Sequence, residues 1–370
     1  MVSMRQPPVS WTESIALTRD LHQFLQGLPK VDLHRHLEGS LRLETVVELA
    51  REHGVTLPSY DIERLRPLVQ VTDDPPDFDR YLGKFHILRR IYSAREVIER
   101  VAYEAVADAA ADNLRYLELR FSPSAQAAVH GFSFSDTTDW VIAGVRRAEK
   151  DFDITVRLII ALVRHDPFEW AEEITEVAIA RQADGVVGFD LTGQAEKHPA
   201  GPFASLFKKA KAAGLNITVH AGETTGPETV TEAVTVLGAQ RVGHGIRAIE
   251  DSRACQLLRN EGITLEICPT SNVQTGAVTT FGRHPLGDLH RMGVSVTINT
   301  DNTSVSNTTL TDEYLVATLG MGIKLPELCQ ILMNAVDAAF LSEGQKEALR
   351  AWFHQRLGAL SEAPASLGLG

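Results

Sequence analysis

Residues 32–36 read Asp-Leu-His-Arg-His. On an extended strand successive side chains alternate faces, so Asp32, His34 and His36 share one face while Leu33 and Arg35 take the other. Two imidazoles then converge, a geometry that permits metal ligation without requiring it. Similar residues close other apolar runs: His220 followed by Glu223 in TVHAGE, His244 in RVGHG, and Asp301 in INTDN. Gathered at one rim, unpaired imidazoles and carboxylates would each carry a desolvation cost of roughly 1–3 kcal/mol, which a bound cation relieves. Three neutral imidazoles and one carboxylate suit Zn²⁺ best, although Fe²⁺ or Co²⁺ can use the same ligands. The segment GVVGFDLTG has no Lys to bridge a second ion, so one Zn²⁺ per chain is expected.

Something must bring these distant positions together. Short runs rich in Val, Ile, Leu and Phe alternate with helical patterns, which predicts strands at 31–36, 114–121, 154–162, 185–191, 215–220, 241–245, 263–268 and 294–299. Eight strands in βα alternation predict an α/β fold, a (β/α)8 TIM barrel, whose reactive groups lie at the carboxyl ends of the strands. Stretches 95–112 and 139–151, with apolar residues three and four apart, belong to the outer ring. Residues 37–113 are too many for one crossover helix and predict an inserted helical lid after the first strand. The chain reads as one domain over 1–370, with a catalytic core at about 29–341 and C-terminal helices and a frayed tail in 342–370.

Composition excludes other classes. A net charge of −12 opposes a nucleic-acid backbone, and no stretch reaches the roughly 20 apolar residues of a membrane span. The three cysteines have no metal or redox spacing and read as buried thiols. A cytoplasmic protein with a small-molecule partner is expected, its oligomeric state left open.

From Pro29 to about Leu341 the sequence resembles the adenosine deaminase family. The matching motifs are PKVDLHRHLEGSLR (29–42), LRYLELRFSP (114–123), DLTG (190–193), TVHAGE (218–223), RVGHG (241–245), CPTSN (268–272), HPL (284–286) and INTDN (298–302). The resemblance implies zinc held by His34, His36, His220 and Asp301, activating water for attack on purine C6. Adenosine and 2′-deoxyadenosine would yield inosine-type products and ammonia. Glu223 is implied to protonate purine N1, His244 to take or orient the proton of the attacking water, and Asp301 to orient that water.

For the substrate, the resemblance implies that His36 adjoins it, that the Gly193 backbone approaches purine N3, and that Glu38 faces the ribose 5′-hydroxyl. A 5′-phosphate would there meet like charge, costing roughly 4 kcal/mol at 4 Å with an effective dielectric near 20, so nucleosides should surpass nucleotides. Tyr81, Leu82 and Phe85 are implied lid contacts, and Ser122 a rim candidate. Each has a plainer reading: an exposed loop acid for Glu38, a turn glycine for Gly193, a helix cap for Glu223, a core histidine for His244, a turn cap for Ser122, and helix packing for the lid residues. The family pattern of two adjacent aspartates appears here as Asp301-Asn302. An Asn amide offers purine N7 an N–H donor without needing a proton. That departure leaves room for a modified adenosine, such as one with a larger 5′ substituent, and deamination of free adenine or aminodeoxyfutalosine stays open because it uses the same chemistry.

Overall fold

The computed structural model describes residues 11–360; the expected frayed tail at 361–370 lies outside the described residues. The eight strands are β1 (Lys30–His36), β2 (Leu114–Phe121), β3 (Thr155–Val163), β4 (Val186–Thr192), β5 (Asn216–Ala221), β6 (Arg241–His244), β7 (Thr264–Ile267) and β8 (Ser295–Ile298). They pair in parallel in sequence order, the (β/α)8 barrel expected from the alternation. Parallel neighbours need crossovers, and the intervening helices supply them, burying their apolar stripes on the strands.

The seam between β1 and the chain after β8 closes through an Arg35–Asp301 bridge. Its backbone bonds involve the candidate ligands themselves: His36 N–H donates to Asp301 O at 2.7 Å, and Asp301 N–H to His34 O at 2.8 Å. Leu33 N–H also donates to Asn299 Oδ1 at 2.9 Å.

One of the sheet's register irregularities bears on the site. A register shift between Asp32 and Arg35 interrupts the pleat, and Arg35 Nε reaches Asp32 Oδ2 at 3.1 Å while Thr300 Oγ1 donates to the same oxygen at 2.6 Å. Asp32 therefore turns to Arg35 and Thr300, and only His34 and His36 of the expected trio face the site. Arg35 points away from the cavity, as alternation predicts.

The barrel interior beneath the mouth is ionic. Arg120 of β2 spans it, donating to Asp190 Oδ2 of β4 (2.9 Å), Glu266 Oε2 of β7 (2.6 Å) and Leu33 O of β1 (2.7 Å). Arg241 of β6 donates to Glu266 Oε1 at 2.7 Å and also pairs with Glu118 of β2. All five side chains are buried, a placement tolerable only because every charge meets an opposite one.

Between β1 and β2 lie the helices Leu43–Glu52, Ile62–Val69, Phe78–Gly83, Phe85–Leu88 and Arg95–Ala111. Asp77 caps Phe78–Gly83 by accepting from Arg80 N–H at 2.7 Å, and its own N–H donates to Gln274 O at 3.0 Å, tying the insert to the short helix Pro269–Gln274 after β7. No helix of the described residues is long and apolar enough to cross a membrane.

Candidate active site

The carboxyl ends of β1, β5, β6 and β8 carry the residues singled out by type. His34 and His36 arrive from β1, His220 from β5, His244 from the end of β6, and Asp301 just past β8. Ligand atoms of His34, His36, His220 and Asp301 lie within 4.8 Å of one another. Asp301 Oδ1 is 3.4 Å from both His34 Nε2 and His36 Nε2, and His36 Nε2 is 3.1 Å from His220 Nε2.

The outward nitrogens fix which lone pairs converge. His34 Nδ1 meets Glu266 Oε2 at 2.8 Å, and His220 Nδ1 meets Asp190 Oδ1 at 3.1 Å. Carboxylates accept, so each Nδ1 carries the proton and each Nε2 presents a lone pair. His34 Nε2 is buried with no hydrogen-bond partner. Burial pushes His36 and His220 downward, favouring the neutral ring that ligates metal, whereas for His34 burial is outweighed by the Asp301 and Glu266 carboxylates, which raise it. Burial alone would raise Asp301, but the neighbouring His34 and His36 imidazoles hold it well below the usual carboxylate range. An orphaned lone pair, two further imidazoles and an ionised carboxylate at this spacing fit a divalent cation.

Two backbone features make the convergence possible. His244 (φ 60°) and Asp301 (φ 61°) leave their strands in the left-handed region; the other such non-glycine residues described are both Asn, which tolerates it. In β6, a Cβ on Gly243 would stand 2.9 Å from His34 Cε1 and 3.3 Å from His220 Nδ1, so the glycine leaves room for two imidazoles.

Glu223 and His244 flank the cluster, with His244 Nε2 3.6 Å from Glu223 Oε2. Glu223 accepts from Thr275 Oγ1 at 3.1 Å, and burial, helped by the Asp301 charge, pushes its carboxyl up to about 7. It caps no helix, since the next one begins at Pro227 behind Gly226. His244 accepts no backbone bond; its partner is the Asn272 side chain.

These groups stand in a cavity of about 530 Å³. Glu38, Gly193, Asn302, Tyr81, Leu82, Phe85 and Ser122 all border it. Glu38 is buried rather than loop-exposed, accepts from Ser122 N–H at 2.8 Å, and is pushed up to about 7 by burial. The Ser122 side chain caps nothing. Gly193 has φ 103°, so the turn requirement and the cavity position coincide there. Asn302 packs so close to Gly39 that a Cβ on the glycine would stand 2.0 Å from Asn302 Oδ1. Tyr81 shares a hydrogen bond with Ser306 at 2.9 Å, holding the insert against the chain after β8.

Residue type and spacing did not single out several contributors. His86, Arg89 and His165 also line the cavity, the first two on the insert, where helical pattern alone predicts packing. Glu266, Asp190 and Arg120 lie mid-strand and act on residues of other strands, so no local spacing marks them. Cys268 is buried, as are Cys255 and, in part, Cys329.

The sequence profile of the adenosine deaminase family matches residues 29–355. An adenosine deaminase of Clostridium botulinum (strain Hall) is 38% identical over 328 residues, covering 89% of this chain and 98% of that protein. Among solved structures, an amidohydrolase from Burkholderia ambifaria with bound Zn superposes with a TM-score of 0.85 at 26% identity, covering 98% of this chain and 97% of its own. An adenine deaminase from Arthrobacter aurescens gives 0.82 at 27% identity, covering 90% and 100%. Profile, full-length relatives and a barrel mouth built from the same motifs agree: the chain belongs to the adenosine deaminase family.

Proposed function

We propose that this protein hydrolytically deaminates adenosine and 2′-deoxyadenosine at purine C6, using one Zn²⁺ held by His34, His36, His220 and Asp301. The observation that carries the reading is the orphaned, buried His34 Nε2 aimed among three other ligand atoms, beside a carboxyl and an imidazole suited to proton handling. The bound Zn of the Burkholderia structure supports the choice of ion. A cation held there supplies Lewis-acid activation of water near neutral pH.

The chain's own residues account for the rest. Glu223, kept protonated to about pH 7 by burial, donates to purine N1 and makes C6 more electrophilic. His244 lies on the same side and meets the attacking water. Gly193 brings backbone to the purine edge, and Asn302 offers its amide to N7. Glu38, at the cavity wall, receives the ribose 5′-hydroxyl. The insert carrying Tyr81, Leu82 and Phe85 covers the sugar as a lid and excludes water.

The likeness to an adenine deaminase favours a second reading, free adenine as substrate, in which the sugar end of the cavity stays unused. An ammonia-release assay with adenosine, 2′-deoxyadenosine, adenine, AMP and aminodeoxyfutalosine, with metal analysis of the same sample, separates them. Adenosine and 2′-deoxyadenosine are expected to lead, with one Zn²⁺ per chain. Faster turnover of adenine would reverse the order, and AMP equal to adenosine would remove the role of Glu38.

A further inference from the structure

The CPTSN and HPL segments contribute Asn272 and His284, neither of which borders the cavity. Both nevertheless reach the active site through His244. Leu286 opens the helix Leu286–Arg291, and its backbone N–H, which can only donate, meets His284 Nδ1 at 3.1 Å. His284 Nδ1 is therefore a lone pair, and the proton of the neutral ring sits on Nε2. His284 Nε2 is 3.2 Å from Asn272 Oδ1, which fixes the amide with its oxygen toward His284. The amide nitrogen then faces the other way and lies 3.0 Å from His244 Nδ1. An amide N–H only donates, so His244 Nδ1 accepts.

We propose that the relay from Leu286 through His284 and Asn272 locks His244 as its Nε2–H tautomer, so that His244 meets the attacking oxygen as a hydrogen-bond donor and not as a proton acceptor. The chain of assignment starts at a backbone N–H, whose polarity is not a matter of choice, and passes through two contacts at each ring and amide. Asn272, His284 and His244 are all buried, which leaves the relay as the partner for each inner polar atom. The reverse tautomer would aim His244 Nδ1–H at the Asn272 amide hydrogens, two buried donors facing each other. The imidazolium would do the same. His244 Nε2, the only ring nitrogen left to face the site, stands 3.6 Å from Glu223 Oε2. Asn272 and His284 are thus positioning residues, acting on the reaction through His244. Their chemical consequence rests on the deaminase reading; the tautomer does not.

Ring ¹⁵N–¹H correlation spectra of ¹⁵N-histidine-labelled, Zn²⁺-loaded protein test this, with His244 assigned by the signals missing from His244→Gln. The expected spectrum shows a protonated Nε2 and a bare Nδ1 for both His244 and His284. A protonated His244 Nδ1 overturns the proposal whatever the activity. In Asn272→Asp the new carboxylate accepts only, so His244 is expected to move its proton to Nδ1. Turnover should then fall about 100-fold in kcat, the size of losing one preorganised donor. KM and bound metal should change far less. An Asn272→Asp protein with the switched tautomer and undiminished kcat would overturn the donor role. Wild-type protein with the expected spectrum but no ammonia release from any purine would sink the deaminase reading and leave the relay standing.

Discussion

Glu223 is the residue at which placement and charge state agree most closely. It is three positions beyond His220, close to His244, and burial holds its proton to about pH 7. Glu223→Gln keeps the shape and the contact from Thr275 but cannot donate as an acid. Turnover of adenosine is expected to fall roughly 10²–10⁴-fold, the usual contribution of a positioned general acid, with metal stoichiometry unchanged. Retained turnover in a metal-replete Glu223→Gln sample would remove its assignment as proton donor. At this scale the convergence of the candidate side chains was legible in the sequence because they lie at or near strand ends. The residues that orient them were not. Glu266 and Asp190 direct two imidazoles, yet they read as ordinary mid-strand acids until closure of the barrel sets β7 near β1 and pairing sets β4 beside β5.

Among the elements, the strands were legible to within one residue at either end, because apolar runs bounded by polar turns leave little freedom in a barrel wall. The register shift between Asp32 and Arg35 was not, since it accompanies Asp32 bonding to Arg35 and Thr300, a contact 268 positions away in the latter case. Strand β6 shows how an element can serve the site through a missing side chain. Gly243→Ala would set a methyl 2.9 Å from His34 Cε1, and the neighbouring imidazole has little room to give. Zn²⁺ affinity, measured by chelator competition, is expected to fall about 10–100-fold, the range seen when ligand orientation is disturbed. An unchanged affinity would mean that the ring can shift without cost. The insert's helices were visible as a long crossover, but its contribution of His86 and Arg89 to the cavity depends on how the insert folds back over the mouth.

For the whole molecule, Glu313 predicts a pH effect on stability separate from the chemistry. It is buried on the helix Leu310–Met321, accepts from Thr270 N–H at 3.0 Å and Thr308 Oγ1 at 2.8 Å, and has Asp312 as its charged neighbour. Burial raises its carboxyl to about 7 from an ordinary value of 4.5, so the folded protein holds the proton more tightly than the unfolded chain. That contribution is full below about 4.5 and is lost as pH climbs toward 7. At about 1.4 kcal/mol per unit the loss has a ceiling of about 3 kcal/mol. Glu313→Gln has no such loss. Its Tm relative to wild type is expected to rise between pH 5.5 and 7.5 and then level, as followed by thermal unfolding. A constant difference across that range would show that Glu313 titrates normally.

The bridge that completes the barrel, between Arg35 and Asp301, lies among the same residues proposed to grip the ion. Leu33 and Asn299, which bond across that seam, are 266 positions apart. A cation held there would act as a clasp on a very long loop, tying β1 to the chain after β8. Losing it should do more than stop the reaction. By mass action, free ion at 100 times its Kd adds about 2.7 kcal/mol of stability, which chelation removes. Amide exchange is then expected to quicken first at Leu33, His36 and Asp301, while the strands on the opposite wall keep their protection.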